Sequence, residues 1–107
     1  MKHVYCPDVQ GLDSLSIGLE GSRKMMLRLL SEDSVWIEIE PGGYTPDHAH
    51  SDKERLLVVS GTGEIKVGKE RKQIQESDFI EFDPGEQHQA INNSDDVLVF
   101  LCFRNQK

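Results

Sequence analysis

The chain has 107 residues, enough for one domain with a single apolar core. Apolar residues account for 36% of it and charged residues for 29%, a balance typical of a soluble globular protein. The formal net charge of −7 argues against nucleic acid or a membrane as a partner, because binding to either requires clustered Lys and Arg.

The sequence shows no feature of export or membrane insertion. Its start contains no apolar stretch with a cleavage site, and no segment approaches the roughly 18 apolar residues of a transmembrane helix. We therefore expect a cytoplasmic protein. The two cysteines, Cys6 and Cys102, lie near opposite ends of the chain and could pair once it folds. We favour a free thiol at Cys6 and a core position for Cys102.

The first predicted elements are short. Residues 1–23 are polar and interrupted by glycines, so we expect only brief extended pieces there, at residues 4–5 and 15–19. Residues 25–30 predict a longer strand that is apolar on both faces except at Arg28.

Apolar and polar residues alternate over residues 35–40, which predicts a strand with one face on the core. The predicted core positions are Val35, Ile37 and Ile39, and the predicted solvent positions are Glu38 and Glu40. Trp36 then lies on the outer face. It is either incidental there or part of a protein interface, where Trp is enriched.

The stretch from Gly42 to Gly61 carries the residues with the clearest chemistry. His48 and His50 are two residues apart, so on an extended strand both imidazoles project to the same face. Glu54 follows and opens an apolar run, residues 56–59, that predicts a buried strand. Turns at residues 41–43 and 61–63 are expected to close the segment.

Two imidazoles and a carboxylate on one surface indicate a transition-metal site, and His88 lies downstream as a fourth donor. A His-x-His pair alone is more often an exposed or hydrogen-bonded pair. The added Glu54 and His88 favour the metal interpretation.

The rest of the chain predicts further short strands separated by turn-forming residues. They are a hairpin over residues 64–74, strands over 78–82 and 88–92, and a final, wholly apolar strand over 97–103. No stretch has a helical apolar period. About eight short strands predict an all-β sandwich or barrel.

Two spacing patterns resemble the signatures of the cupin family. The residues that match the first signature are Gly42, His48, His50, Glu54 and Gly61. The residues that match the second are Gly85, His88 and Asn92. Ser77 and Asp83 depart from it, standing where the family usually has Gly and Pro. Both lie at predicted turns, so they bear on turn geometry and not on the metal ligands.

The resemblance implies a small double-stranded β-helix, or jelly-roll barrel, in one domain over residues 1–107. Residues 1–23 would form an N-terminal extension and residues 24–104 the barrel. The implied metal ligands are His48, His50, Glu54 and His88, all facing the interior. They suit one divalent transition metal ion, namely Fe, Mn, Ni, Co or Zn, and leave positions open for water, substrate or dioxygen.

The fold does not choose among the many activities of cupins. The expected cavity wall is apolar, formed by Ile37, Ile39, Leu56, Val58, Ile80 and Phe82, with Ala90 leaving room beside the metal. No general acid or base is identified, and Tyr44 and Gln87 are the nearest polar candidates.

This composition of the wall favours a metal-dependent oxidoreductase of dioxygenase type that acts on a small, weakly polar molecule. The alternatives are a non-redox isomerase or lyase, and a small-molecule binding or sensing module without turnover.

Two predicted strands, residues 56–59 and 97–103, are apolar on both faces. Because soluble monomers rarely expose large apolar patches, their outer faces need cover. We expect a homodimer packed through these faces, with Trp36 at the edge of the interface.

Overall fold

The computed structural model describes residues 1–104, in which antiparallel strands account for nearly all regular structure. The strands are β1 (Leu12–Asp13), β2 (Arg23–Ser31), β3 (Ser34–Tyr44), β4 (Glu54–Ser60), β5 (Thr62–Val67), β6 (Glu70–Gln75), β7 (Phe79–Phe82), β8 (His88–Ile91) and β9 (Leu98–Arg104). One 3₁₀ turn spans Cys6–Asp8. The predicted all-β class is confirmed.

The strands form one curled sheet in the order β6-β5-β8-β3-β9-β4-β7, with β2 on β3 and β1 on β2. Strand β3 joins the two halves because it changes partner along its length. Its first part, Ser34–Ile39, pairs with β9, and its last residue, Tyr44, pairs with β8. This change of partner curls the sheet into a jelly-roll barrel, the predicted fold.

The turn predicted at residues 41–43 is wrong, because these residues lie inside β3. Gly42 has a φ of 85°, in the left-handed region that suits glycine. At Gly43 an added Cβ would lie 2.5 Å from the carbonyl oxygen of Arg23. The two glycines therefore let the strand turn a corner and pass close to β2, and they do not end it.

The core fills the interior of the curled sheet. Its buried apolar members are Met25, Leu27, Ile37, Ile39, Leu56, Val58, Ile65, Ile74, Phe82, Ala90, Leu98, Phe100 and Cys102. The predicted inward positions of Ile37 and Ile39 are confirmed, and Val35 packs against the same core. Cys102 is buried and Cys6 half-buried, and both are free thiols.

Ser77 has a φ of 78°, a left-handed conformation that is unfavourable for a residue with a Cβ. It lies in the turn between β6 and β7, where its amide donates to the carbonyl of Val58 at 2.9 Å. A glycine at this position would adopt the same turn without steric cost, which explains the residue that the cupin signature usually has there. Within residues 1–104, no helix is long and apolar enough to cross a bilayer.

Candidate metal centre

The structure brings together the four side chains that the sequence indicated as metal ligands. His88 Nε2 lies 2.6 Å from Oε1 of Glu54, His50 Nε2 lies 3.6 Å from the same oxygen, and His48 Nε2 lies 3.8 Å from it. Ligand atoms of His48, Glu54 and His88 all lie within 4.8 Å of one another. The His50 ring lies farther from His88 than the His48 ring does, with centroid distances of 6.2 and 4.6 Å.

Backbone carbonyls orient two of these imidazoles. Nδ1 of His88 lies 2.8 Å from the carbonyl oxygen of Glu86, and Nδ1 of His48 lies 2.5 Å from that of Pro46. A carbonyl oxygen only accepts hydrogen bonds, so in both rings Nδ1 carries a proton and donates it. In the neutral form of each ring the lone pair is therefore on Nε2, directed at Glu54.

In this arrangement two hydrogen-bond acceptors, Nε2 of neutral His88 and Oε1 of Glu54, face each other. A neutral His88 and an ionised Glu54 would direct two lone pairs at each other across 2.6 Å, which requires a proton or a cation between them. Metal-bound histidines in proteins characteristically donate their second ring N–H to a carbonyl or carboxylate, as His48 and His88 do. The donor set therefore fits a divalent transition metal.

His48 and His50 share a face for a different reason from the one predicted. They lie on an irregular segment, residues 45–53, and not on a strand. His48 makes an isolated bridge to His88, with N···O distances of 3.0 and 2.8 Å, and Gly85 donates to the carbonyl of His50 at 2.7 Å. Pro46 has no N–H to contribute to a ladder, so the segment is held against β8 by the bridge at His48 and, before Pro46, by the bond from the Thr45 amide to the Ala90 carbonyl at 2.9 Å.

The charges of the cluster are set by burial and by mutual hydrogen bonds. Burial raises the pKa of Glu54, but hydrogen bonds from His88 and Cys102 outweigh it and bring this pKa to about 2. Burial lowers the pKa of His88, yet its contacts with Glu54 and the Glu86 carbonyl raise it overall. Burial also lowers the pKa of His50, which the Glu54 charge offsets only in part. Glu54 is thus ionised, and at any pH where His88 is protonated metal binding displaces that proton.

Cys102 is part of this cluster, which sequence reasoning missed. Its thiol donates to Oε2 of Glu54 at 2.8 Å, while Oε1 faces the imidazoles. Burial and the neighbouring Glu54 charge raise the pKa of Cys102, so it remains a neutral thiol. The only signal in the sequence was its place in the apolar run of β9, which indicates a core residue and not a contact with Glu54.

Phe82 has a different role from the predicted one. Its ring stacks on that of His88, with centroids 3.7 Å apart and planes at 3°. It lies behind the imidazole, supports its orientation and does not line the cavity.

The cluster lies in a cavity of about 560 Å³ inside the barrel. Of the predicted wall, Ile37, Leu56 and Ala90 line it. The other apolar lining residues are Leu19, Met25, Leu27, Val35, Pro46 and Phe100. Three residues that precede β2 also contribute to this wall, namely Gly18, Leu19 and Glu20.

Several predictions about the wall are wrong. Ile39 and Val58 are packed in the core, and Ile80 lines a separate cavity of about 190 Å³. Neither Tyr44 nor Gln87 lines the cavity that holds the ligand cluster. The polar residues that do so without belonging to the predicted set are Thr45, Glu20, Cys102 and Arg104.

Comparisons with known proteins agree with this architecture. A relative 27% identical over 89% of this chain is gentisate 1,2 dioxygenase 1 of Aquipseudomonas alcaligenes. Another, 25% identical over 71% of the chain, is 1-methylthio-D-xylulose 5-phosphate methylsulfurylase of Rhodospirillum rubrum. The chain spans 24% and 49% of the lengths of these two proteins.

Solved structures share the fold at low sequence identity. The polyketide cyclase RemF from Streptomyces resistomycificus superimposes with a TM-score of 0.85 at 21% identity, over 97% of this chain and 78% of the cyclase. A predicted oxalate decarboxylase from Thermotoga maritima gives a TM-score of 0.84 at 17% identity, over 96% of this chain and 97% of that one. The family described as Cupin domain matches residues 35–104. This chain belongs to the cupin family.

Proposed function

We propose that this cupin is a metal-dependent oxidoreductase of dioxygenase type, acting on a small, weakly polar molecule. One divalent transition metal would be held by His48, His50, Glu54 and His88. The observation that carries the proposal is the convergence of imidazole Nε2 atoms on the Glu54 carboxylate within an otherwise largely apolar cavity.

His48, Glu54 and His88 each have a separate support in the protein. Carbonyl groups hold His48 and His88, a thiol holds the second oxygen of Glu54, and the ring of Phe82 stacks on His88. Such support fixes ligand geometry before the ion arrives. A bound ion of this class supplies electrons when it is redox-active and Lewis acidity in either case.

The cavity favours a substrate with an apolar framework. Its walls are mostly apolar, and the small residue Ala90, two positions from His88 on β8, lines the cavity beside the ligands. The similarity to a gentisate 1,2 dioxygenase supports oxygen-dependent chemistry. That relative is about four times longer than this chain, so its activity is carried over only as part of this proposal.

The second candidate is a non-redox isomerase or lyase. The donor set of nitrogen and carboxylate oxygen accepts redox-inert Zn as readily as Fe or Mn. In that case the carboxylate and imidazoles would position the ion to polarise a carbonyl group of the substrate.

Metal analysis of protein purified under reducing, anaerobic conditions, followed by oxygen-uptake assays with small aromatic compounds, tests the proposal. Bound iron with substrate-dependent oxygen uptake is the expected result. Turnover of a carbonyl compound with a redox-inert metal and without oxygen would support the second candidate instead. Absence of any turnover in the metal-loaded protein would leave a binding or sensing module.

A further inference from the structure

We propose that Arg104 makes the cavity selective for small apolar molecules that carry a carboxylate group, with the guanidinium binding that group. The inference rests on the proposed function only in that a small molecule binds beside the ligand cluster. It replaces the weakly polar molecule of the proposed function by one with an apolar framework and a carboxylate group, and it names a specificity residue.

The position of Arg104 follows from strand register. Arg104 ends β9 and is the cross-strand partner of Glu54, the first residue of β4. Directly opposed residues of an antiparallel pair project to the same face of the sheet. Phe100 and Cys102 have the same parity along β9, and both line the cavity. The Arg104 side chain therefore extends this inward row to the end of the barrel where the metal ligands lie.

Arg104 is the one Lys or Arg among the residues, within 1–104, that line this cavity. The chain as a whole carries a charge of −7, so this guanidinium is a local positive charge within an acidic protein. The acidic groups nearby are Glu54, whose charge a divalent ion would offset, the exposed Glu20, and Asp52.

The contact with Asp52 leaves most of the guanidinium available. Asp52 Oδ1 lies 3.0 Å from Nε of Arg104, and the side chain of Arg104 is 39% exposed. Within residues 1–104 its terminal nitrogens bond no other side chain. A guanidinium has five N–H donors in a planar fork, so a second carboxylate can bind along the free edge. Asp52 thus orients the guanidinium through Nε and leaves its terminal N–H groups available to a ligand.

Benzoate and benzyl alcohol are suitable probes, because they share an aromatic ring and differ in charge. Their dissociation constants would be measured by calorimetry on both the zinc-loaded and the metal-free protein, with metal content determined for each sample. A charge-assisted contact predicts that the wild type prefers benzoate by about tenfold or more in both forms. Measuring the metal-free form removes direct binding of the probe to zinc.

Variants of Arg104 and Asp52 distinguish anion binding by Arg104 from a merely structural role of this residue. Arg104→Met should abolish the preference for benzoate, and Arg104→Lys should retain part of it. Asp52→Asn breaks the same ion pair but keeps the guanidinium, so it should preserve or increase the preference.

The proposal is overturned if Arg104→Met keeps the preference, if Asp52→Asn loses it equally, or if the wild type does not bind benzoate. Failure of the wild type to retain zinc would instead contradict the proposed metal centre. The preference of the metal-free protein for benzoate would still test Arg104.

Discussion

Glu54 holds its two carboxylate oxygens in different environments. Oε1 faces the imidazoles of His48, His50 and His88, whereas Oε2 accepts a hydrogen bond from Cys102. The thiol therefore leaves one oxygen for a metal ion and fixes the rotation of the carboxylate. Because the side chain is almost fully buried, this orientation is maintained by the protein and not by solvent.

Replacing His50 by Ala should weaken metal binding at least tenfold, because it removes one of the proposed nitrogen ligands. The barrel should still fold, since the imidazole is partly exposed and lies outside the core. Metal content after dialysis against a dilute chelator is the measurement, with His3→Ala as the control because His3 is exposed and outside the cluster. Full occupancy in His50→Ala would contradict the ligand assignment.

Replacing Glu54 by Gln should lower metal affinity strongly, because the shape is kept while the negative charge and donor strength are lost. Competition with a chromophoric chelator at pH 7 measures the change. If Glu54→Gln binds the ion as tightly as the wild type does, Glu54 acts outside the coordination sphere.

The Glu54–His88 pair predicts how the stability of the metal-free protein depends on pH. The pKa of Glu54 is lowered from 4.5 to about 2, so its contribution is present above pH 4.5 and lost as pH falls through about 2. The pKa of His88 is raised from 6.5, so its contribution is present below pH 6.5 and lost as pH rises through the raised value. The pair therefore stabilises the fold most between about pH 4.5 and 6.5.

Urea unfolding of the metal-free wild type and Glu54→Gln at pH 5.5 and 8.5 measures this dependence. The wild type should exceed the variant in unfolding free energy by on the order of 1–3 kcal/mol at pH 5.5 and by less at pH 8.5. An equal difference at the two pH values would show that the Glu54–His88 contact is not the origin of the stabilisation.

At the scale of the elements, the strand ends position the cluster. Glu54 begins β4 and His88 begins β8, so both lie at one end of the barrel. His48 and His50 come from the irregular segment at residues 45–53, which the bridge to His88 and the bond from Gly85 attach to β8. The site is therefore built on two strands and on one loop that backbone hydrogen bonds at Thr45 and His48 attach to β8.

The turn between β6 and β7 offers a test of the strained conformation at Ser77. Ser77→Gly should raise the free energy of unfolding by roughly 0.5–1 kcal/mol, because relief of the left-handed strain exceeds the added entropy of the unfolded glycine. Thermal unfolding of the wild type and of Ser77→Gly measures this change in stability. Gly85→Ala is the matched control, since Gly85 has a φ of 80° with open space around it, and the added methyl should destabilise. A lower melting temperature for Ser77→Gly would contradict this account.

At the scale of the whole molecule, one outer face is unusually apolar. Leu57, Phe79 and Leu101 occupy neighbouring positions on β4, β7 and β9, and Trp36 on β3 continues the row. Leu57 is 38% and Phe79 57% exposed. Leu57 and Val59 both face outward on β4. Burial of such a row gains roughly 25 cal/mol per Å².

We predict a homodimer packed through this row, because a two-fold axis buries a self-complementary patch most simply. Light scattering at micromolar concentration should give about twice the single-chain mass of 12.1 kDa, and Leu57→Lys should shift it to the monomer. Leu29→Lys is the control, since Leu29 is an exposed apolar residue outside the row. A monomeric wild type would refute the interface.

The strand faces and the ligand cluster were predictable from residue type and spacing along the chain. Alternation over residues 35–40 predicted that Ile37 and Ile39 face the core, because side-chain direction on a strand is a property of the strand itself. The convergence of His48, His50, Glu54 and His88 was predictable from donor chemistry together with family spacing. These inferences depend only on residue type and separation along the chain.

The other features of the fold and of the site depend on pairing between strands that are distant in the sequence. Cys102 meets Glu54 across 48 residues of sequence, and the register of β4 with β9 places Arg104 opposite the same carboxylate. The close approach of the Arg23 carbonyl leaves no room for a side chain at Gly43, and Phe82 supports His88 because its ring stacks on the imidazole. Residue identity sets which groups can bind a metal or an anion. Only the three-dimensional pairing of strands sets which groups meet, because contacts between distant segments leave no periodic signal in the sequence.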